Sequence, residues 1–160
     1  MWRLLIETVN GLRAIHALGV VHRDIKSANI YLIKPRVHFD VKIGGESVNS
    51  SEISQGTFLY QAKIGDMNVS KVHRVGMNLT KAGTPFYAAP EVFEDQYSAK
   101  SDIWALGIVI YEMLALKLPF AGTDLKMLQK KIQKNKLQRI PSHFSNDIWS
   151  IIQMMLQTDP

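Results

Sequence analysis

The octapeptide His22-Arg23-Asp24-Ile25-Lys26-Ser27-Ala28-Asn29 holds a carboxylate, an ammonium and a carboxamide within six residues. Together these suit phosphoryl transfer. A carboxylate can take the proton of an attacking hydroxyl, an amide oxygen can hold magnesium, and a lysine can balance phosphate charge. Asp24, Asn29 and Lys26 are the candidates for those tasks. Asp66, in Lys63-Ile64-Gly65-Asp66-Met67-Asn68, offers a further oxygen ligand for such an ion. A lone His-Arg-Asp tripeptide is common and also fits a solvated turn, but two more stretches follow it in order, Gly83-Thr84-Pro85-Phe86-Tyr87-Ala88-Ala89-Pro90-Glu91 and Ser101-Asp102-Ile103-Trp104-Ala105-Leu106-Gly107.

The surrounding elements must hold these groups in place. Leu5, Val9, Leu12 and Ile15 recur at helical spacing, and Gly19 supplies a stop. The spacing therefore predicts a helix that delivers the chain to His22. Ile30 to Ile33 and Phe39 to Ile43 are β-compatible runs flanking Lys34-Pro35, which predicts a hairpin leading toward Asp66. Ile103 to Leu116 is apolar nearly all round except for Glu112, the mark of a buried helix, and Lys117-Leu118-Pro119-Phe120 ends it. Ser145 opens a last helix with Ile148, Ile151, Ile152 and Met155 on its inner stripe. The expected fold class is α+β, a mostly helical lobe with a small sheet.

With 46% apolar and 21% charged residues, the 160-residue chain has the composition of one globular unit. The absence of cysteine excludes disulfides and thiolate metal sites. No apolar run is long enough to span a bilayer and no secretory signal opens the chain, so a cytoplasmic or nuclear setting without membrane contact is expected. The net charge of +5 gathers at Lys126, Lys130, Lys131, Lys134, Lys136 and Arg139. Leu125, Leu128 and Ile132 mark the other side of that helix, so the cations read as a solvated face. An acidic partner at the basic helix 125–139 is expected there rather than nucleic acid.

The four stretches together resemble the eukaryotic serine/threonine protein kinases, and Asn29-Ile30-Tyr31-Leu32, Asp66-Met67-Asn68 and the 83–91 segment are most similar to the NIMA-related members. The resemblance implies a protein-kinase fold and transfer of the ATP γ-phosphate to Ser or Thr of a protein substrate, with ATP and Mg2+ as cofactors. It implies that Asp24, Lys26 and Thr84 are catalytic, that Asn29 and Asp66 hold magnesium, and that Tyr31 floors the adenine pocket. His22, Arg23, Glu91 and Asp102 become supports of the site, Asp102 by accepting backbone N–H bonds from the catalytic loop. Thr80 becomes a phosphorylation site facing Arg23. Association with the cytoskeleton or cilium is a further implication. Met67 and Asn68 depart from the family's Phe and Gly; Met can fill the apolar slot of Phe, and Asn tolerates positive φ. The rival is a catalytically inactive, pseudokinase-like scaffold module.

The resemblance leaves two irregularities. Asp66 follows Asn29 by 37 positions, whereas a hairpin needs roughly 12 to 16. Val41-Lys42-Ile43-Gly44 nearly repeats as Ala62-Lys63-Ile64-Gly65, so residues 44–63 are expected to be an insertion, either a surface loop or, the preferred reading, an unspliced segment. In addition, no glycine-rich loop or Val-Ala-Ile-Lys strand precedes Met1, and no arginine follows Pro160 to pair with Glu91. Residues 1–160 are therefore expected to be a partial domain without an amino-terminal lobe, spanning catalytic loop to penultimate helices. Its stability should be marginal, its ATP binding poor, and Glu91 a buried carboxylate lacking a partner.

Overall fold

The computed structural model describes residues 2–34, 60–67 and 85–159, and the backbone of 41–43 and 46–48. Helix α1 (Trp2–Ala17) buries Leu5, Thr8 and Leu12. Val9, expected on that stripe, is 38% exposed, and Thr8 takes the inward place because its hydroxyl donates to Leu4 O at 2.7 Å. Gly19 stops the helix with φ +71 and an N–H bond to His16 O.

Strand β1 (Ile30–Ile33) pairs antiparallel with β4 (Gln61–Ile64), Ile30 opposite Ile64 and Ile33 opposite Gln61. The hairpin expected between Ile30–Ile33 and Phe39–Ile43 does not form. Strand β2 (Val41–Ile43) pairs instead with β3 (Glu46–Val48) in a separate two-stranded sheet. The repeat offered two similar strands, and packing against α1 separates them. Ala62 is buried, and its N–H is accepted by Glu7 of α1 at 2.7 Å; the first copy places the bulkier Val41 there. Arg3, and then this N–H, hold the Glu7 carboxyl below its usual range. Of the expected insertion 44–63, residues 61–63 thus belong to β4 and 46–48 to β3, while 44–45 and 49–59 lie outside the described residues.

Helix α2 (Ala99–Ala115) runs through the core. It begins four residues before the apolar run because Ser98 and Ser101 form a capping box, and it ends at Leu116 in the left-handed region. Trp104, Leu106, Ile108, Ile110 and Tyr111 are all 2% exposed or less, and Trp104 stacks on Phe120 with centroids 5.9 Å apart. Helix α3 (Leu125–Lys134) is capped by Asp124 and turns Leu128 and Ile132 inward. Helix α4 (Asn146–Met155), capped by Ser145, packs on α2 through Ile148 and Ile152.

The α2–α4 contact is closest at Gly107. A Cβ there would lie 2.9 Å from both Leu156 Cδ2 and Met155 Cβ. Overpacking of about 1–3 kcal/mol outweighs the roughly 1 kcal/mol that Ala gains in a helix. Gly107→Ala is therefore expected to lower the urea midpoint; a raised midpoint would contradict this packing.

Alkaline pH probes the same core. Burial pushes the phenols of Tyr111 and Tyr97 above their ordinary value, as it does for Tyr87. Raised values mean that the folded state holds these protons more tightly. The associated stability is fully present below about pH 10 and is lost as pH rises through the folded-state values. The melting temperature should fall as the pH rises above about 10, and less steeply in Tyr111→Phe. An unchanged slope in that variant would oppose the assignment.

Candidate active site

The loop after α1 is fixed by one buried carboxylate. Asp102, in the first turn of α2 and 2% exposed, accepts the backbone N–H of His22 at 2.8 Å and of Arg23 at 2.9 Å. His16 Nε2 completes the set at 2.8 Å. A buried carboxylate is tolerated when donors surround it, and the helix amino terminus favours its charge. His16 was not among the sequence candidates, although its place one turn after Leu12 on the inward stripe of α1 was a usable signal.

His22 ties the loop to β4. Its Nδ1 accepts the Asp24 N–H at 3.3 Å, so the proton sits on Nε2, which donates to Gly65 O at 3.2 Å. Gly65 N–H in turn bonds Asn29 O at 2.9 Å. Through these bonds the segment carrying Asp66 is held directly against the segment carrying Asp24 and Asn29. Arg23 and Asp66 both adopt positive φ, +66 and +57, a conformation that is uncommon outside glycine and concentrates at functional sites. The Arg23 guanidinium lies over the Tyr97 ring, 5.6 Å from its centroid.

Asp24, Lys26 and Asn29 converge. Lys26 Nζ bridges both Asp24 carboxylate oxygens at 3.0 and 2.9 Å. The Asn29 amide nitrogen donates to Asp24 O at 2.8 Å and to Asp24 Oδ2 at 3.0 Å. Asn29 is buried, so these bonds fix its rotamer and leave its side-chain oxygen as the remaining acceptor. Tyr31 stands 51% exposed with its ring over Gly65, where any Cβ would collide with it. Met67 is 55% exposed and so does not fill the buried apolar slot expected of it. Thr80, Thr84 and Asn68 lie outside the described residues.

Two further residues join the loop to the core. Tyr87 donates to Glu112 Oε2 at 2.8 Å and bonds Ser27 Oγ at 3.0 Å; burial and the Glu112 charge favour its protonated form, against the Ser27 bond. Glu112, the lone charge in the apolar run Ile103 to Leu116, was the sequence signal for such a partner. Glu91 is not an orphaned buried carboxylate, since Ser101 Oγ donates to it at 2.7 Å and it borders a cleft of about 190 Å³ beside Trp104 and Met155. The smaller Ser101 supplies the bond for which a cation was expected.

A family model described as the protein kinase domain matches residues 2–160. The chain belongs to the protein kinase family. Its sequence is 37% identical to the probable serine/threonine-protein kinase nek3 of Dictyostelium discoideum, an alignment covering 96% of this chain and 12% of that one. It is 35% identical to the serine/threonine-protein kinase Nek5 of Mus musculus over 94% of this chain and 21% of the relative. The crystal structure of Rad53 1–466 in complex with AMP-PNP superposes with a TM-score of 0.66 at 26% identity, covering 99% of this chain and 35% of that one. The resemblance to NIMA-related kinases read from the motifs thus extends over nearly the whole chain, which spans 12% and 21% of the length of these two curated relatives.

Proposed function

We propose that this chain contributes the catalytic loop of a serine/threonine protein kinase, which transfers the γ-phosphate of ATP to a hydroxyl of a protein substrate. The observation that carries the reading is the convergence of Asp24, Lys26 and Asn29, tied through His22 and Gly65 to Asp66. Asp24 orients the substrate hydroxyl and takes its proton. Lys26, bridging the Asp24 oxygens, is placed to share its charge with the transferred phosphoryl group. The half-exposed Tyr31 ring beside Gly65 offers a stacking surface for the adenine. Thr84 and Thr80 keep the roles the resemblance gives them, contact with Asp24 and Lys26 for the first and phosphate pairing with Arg23 for the second.

The donor set fits magnesium. Asn29 and Asp66 present oxygen atoms, and among the described residues no cluster of three or more acids and histidines forms a protein cage. A magnesium ion shared with nucleotide phosphates needs only one or two such protein ligands. When bound, it neutralises phosphate charge; Asn29 and Asp66 are the residues that would hold it.

None of the described helices is long and apolar enough to cross a membrane. We place the kinase in the cytoplasm or nucleus, with a protein substrate and an acidic partner at segment 125–139. Residues 1–160 are read as the large-lobe part of the kinase domain, with the surplus lying between β1 and β4. A transcript lacking those codons would identify the surplus as unspliced; their presence would identify a loop.

To test the activity, the chain is joined to the glycine-rich ATP-covering lobe of a NIMA-related relative and given radiolabelled Mg-ATP and a mixed protein substrate. Label is expected on serine and threonine. Label confined to tyrosine, or none in a folded protein, would overturn the reading and favour the scaffold alternative.

A further inference from the structure

The outward face of α3 carries Lys126, Lys130 and Lys134 one above another, with Lys131 beside them, all exposed. Leu128 and Ile132, 0% and 1% exposed, commit the opposite face to the core. From Met113 to Asn146 there are seven lysines and arginines against one acid, Asp124, and this acid is occupied as the helix cap by the Met127 N–H at 2.8 Å. That local excess is larger than the formal charge of +5 for the whole chain.

The arrangement works against the helix. Lys126 with Lys130, and Lys130 with Lys134, are like charges four residues apart, which destabilise an isolated helix. Lys131 and Lys134 gain from the negative end of the helix dipole, whereas Lys126 sits in the first turn, at the unfavourable end. Among the described residues no ion pair involves any of the four. No ion pair described within the chain neutralises this face; an external anion would.

Spacing selects the kind of anion. Lysines four residues apart in a helix repeat at about 6 Å. Alternate residues of an extended chain repeat at about 6.6 Å on one side. No aromatic residue lies within α3 to stack a base, which disfavours a single-stranded nucleic acid. We infer that this face docks an extended protein segment with Asp or Glu at alternate positions. Because α3 packs against the 3-10 helix Pro90–Glu94, which takes in the end of the 83–91 segment carrying Thr84, the residue proposed to contact Asp24 and Lys26, the acidic stretch belongs to the protein being phosphorylated. This last assignment rests on the proposed kinase activity; the docking does not.

Fluorescence anisotropy with the 160-residue chain and no ATP tests the docking separately. The probes are a labelled peptide of alternating Glu and Gln, the same composition with its Glu residues in one block, and a single-stranded oligonucleotide. The alternating peptide is expected to bind most tightly and to weaken with added salt. Reversing Lys126, Lys130 and Lys134 to Glu should weaken it at least about tenfold. A Lys→Gln triple, with circular dichroism on both variants, separates lost charge from lost folding; it too should weaken the peptide. Equal binding by folded wild type and variants overturns the docking face, equal binding of the block peptide overturns the register, and tighter binding of the oligonucleotide reassigns the face to nucleic acid. For the substrate assignment, appending the alternating segment to a substrate of the lobe-completed kinase should lower KM with kcat unchanged. Peptide binding with no change in KM overturns that assignment alone.

Discussion

Replacing Asp24 with Asn is expected to lower kcat for phosphotransfer by about 10²- to 10⁴-fold, the range for removing a positioned general base. The substitution keeps the shape of the side chain and leaves an oxygen for the Asn29 amide, while it removes the proton acceptor. It also breaks the Lys26–Asp24 pair, but both side chains are partly exposed, so that loss is about 0.2–1 kcal/mol. For a chain of this length, that corresponds to a fall of at most about 4 °C in melting temperature. A steady-state assay of the lobe-completed kinase beside a thermal melt separates the two effects. Activity retained within about threefold would remove Asp24 from the proton-accepting role.

The second large effect concerns stability. Asp102→Ala deletes an acceptor that serves two backbone N–H groups and His16, and the His22 N–H bond is buried. Leaving such donors unpaired costs about 1–3 kcal/mol each, for a combined loss of about 3–5 kcal/mol. Against the roughly 5–15 kcal/mol that holds a domain together, this comes close to unfolding it. Urea denaturation should show a large fall in midpoint, and hydrogen exchange should show early loss of protection at His22 and Arg23. His16→Ala, which removes only the half-buried donor, should cost less, about 1 kcal/mol. An Asp102→Ala variant within about 0.5 kcal/mol of wild type would mean that water replaces the carboxylate and that the loop is held by something else.

Much of this was legible because periodicity and caps are local signals. The inward residues Leu5 and Leu12 of α1, the stop at Gly19, the apolar body of α2 and the start of α4 at Ser145 follow from spacing and side-chain type. What escaped depended on distant partners. Two near-identical strands compete for β1, and only the fit of Ala62 beneath Glu7 separates them. His16 reads as a generic late-helix residue until Asp102, 86 positions away, gives it a role. Glu91 seemed to need a cation, yet Ser101 also serves the α2 capping box and so lies within reach. At the site, the types and order of Asp24, Lys26, Asn29 and Asp66 were visible in the chain, but the links through His22 and Gly65 required coordinates.

The central claim is that Asn29 and Asp66 present their oxygens to one metal ion beside Asp24. Manganese can stand in for magnesium in the lobe-completed kinase with ATP, and paramagnetic broadening of its amide resonances tests the claim most directly. The Asn29 side-chain amide and the Gly65 and Asp66 N–H signals are expected to broaden together at the lowest manganese concentrations, and Asp66→Asn should abolish this. Broadening that begins at other acidic residues while Asn29 and Asp66 stay sharp would contradict the account.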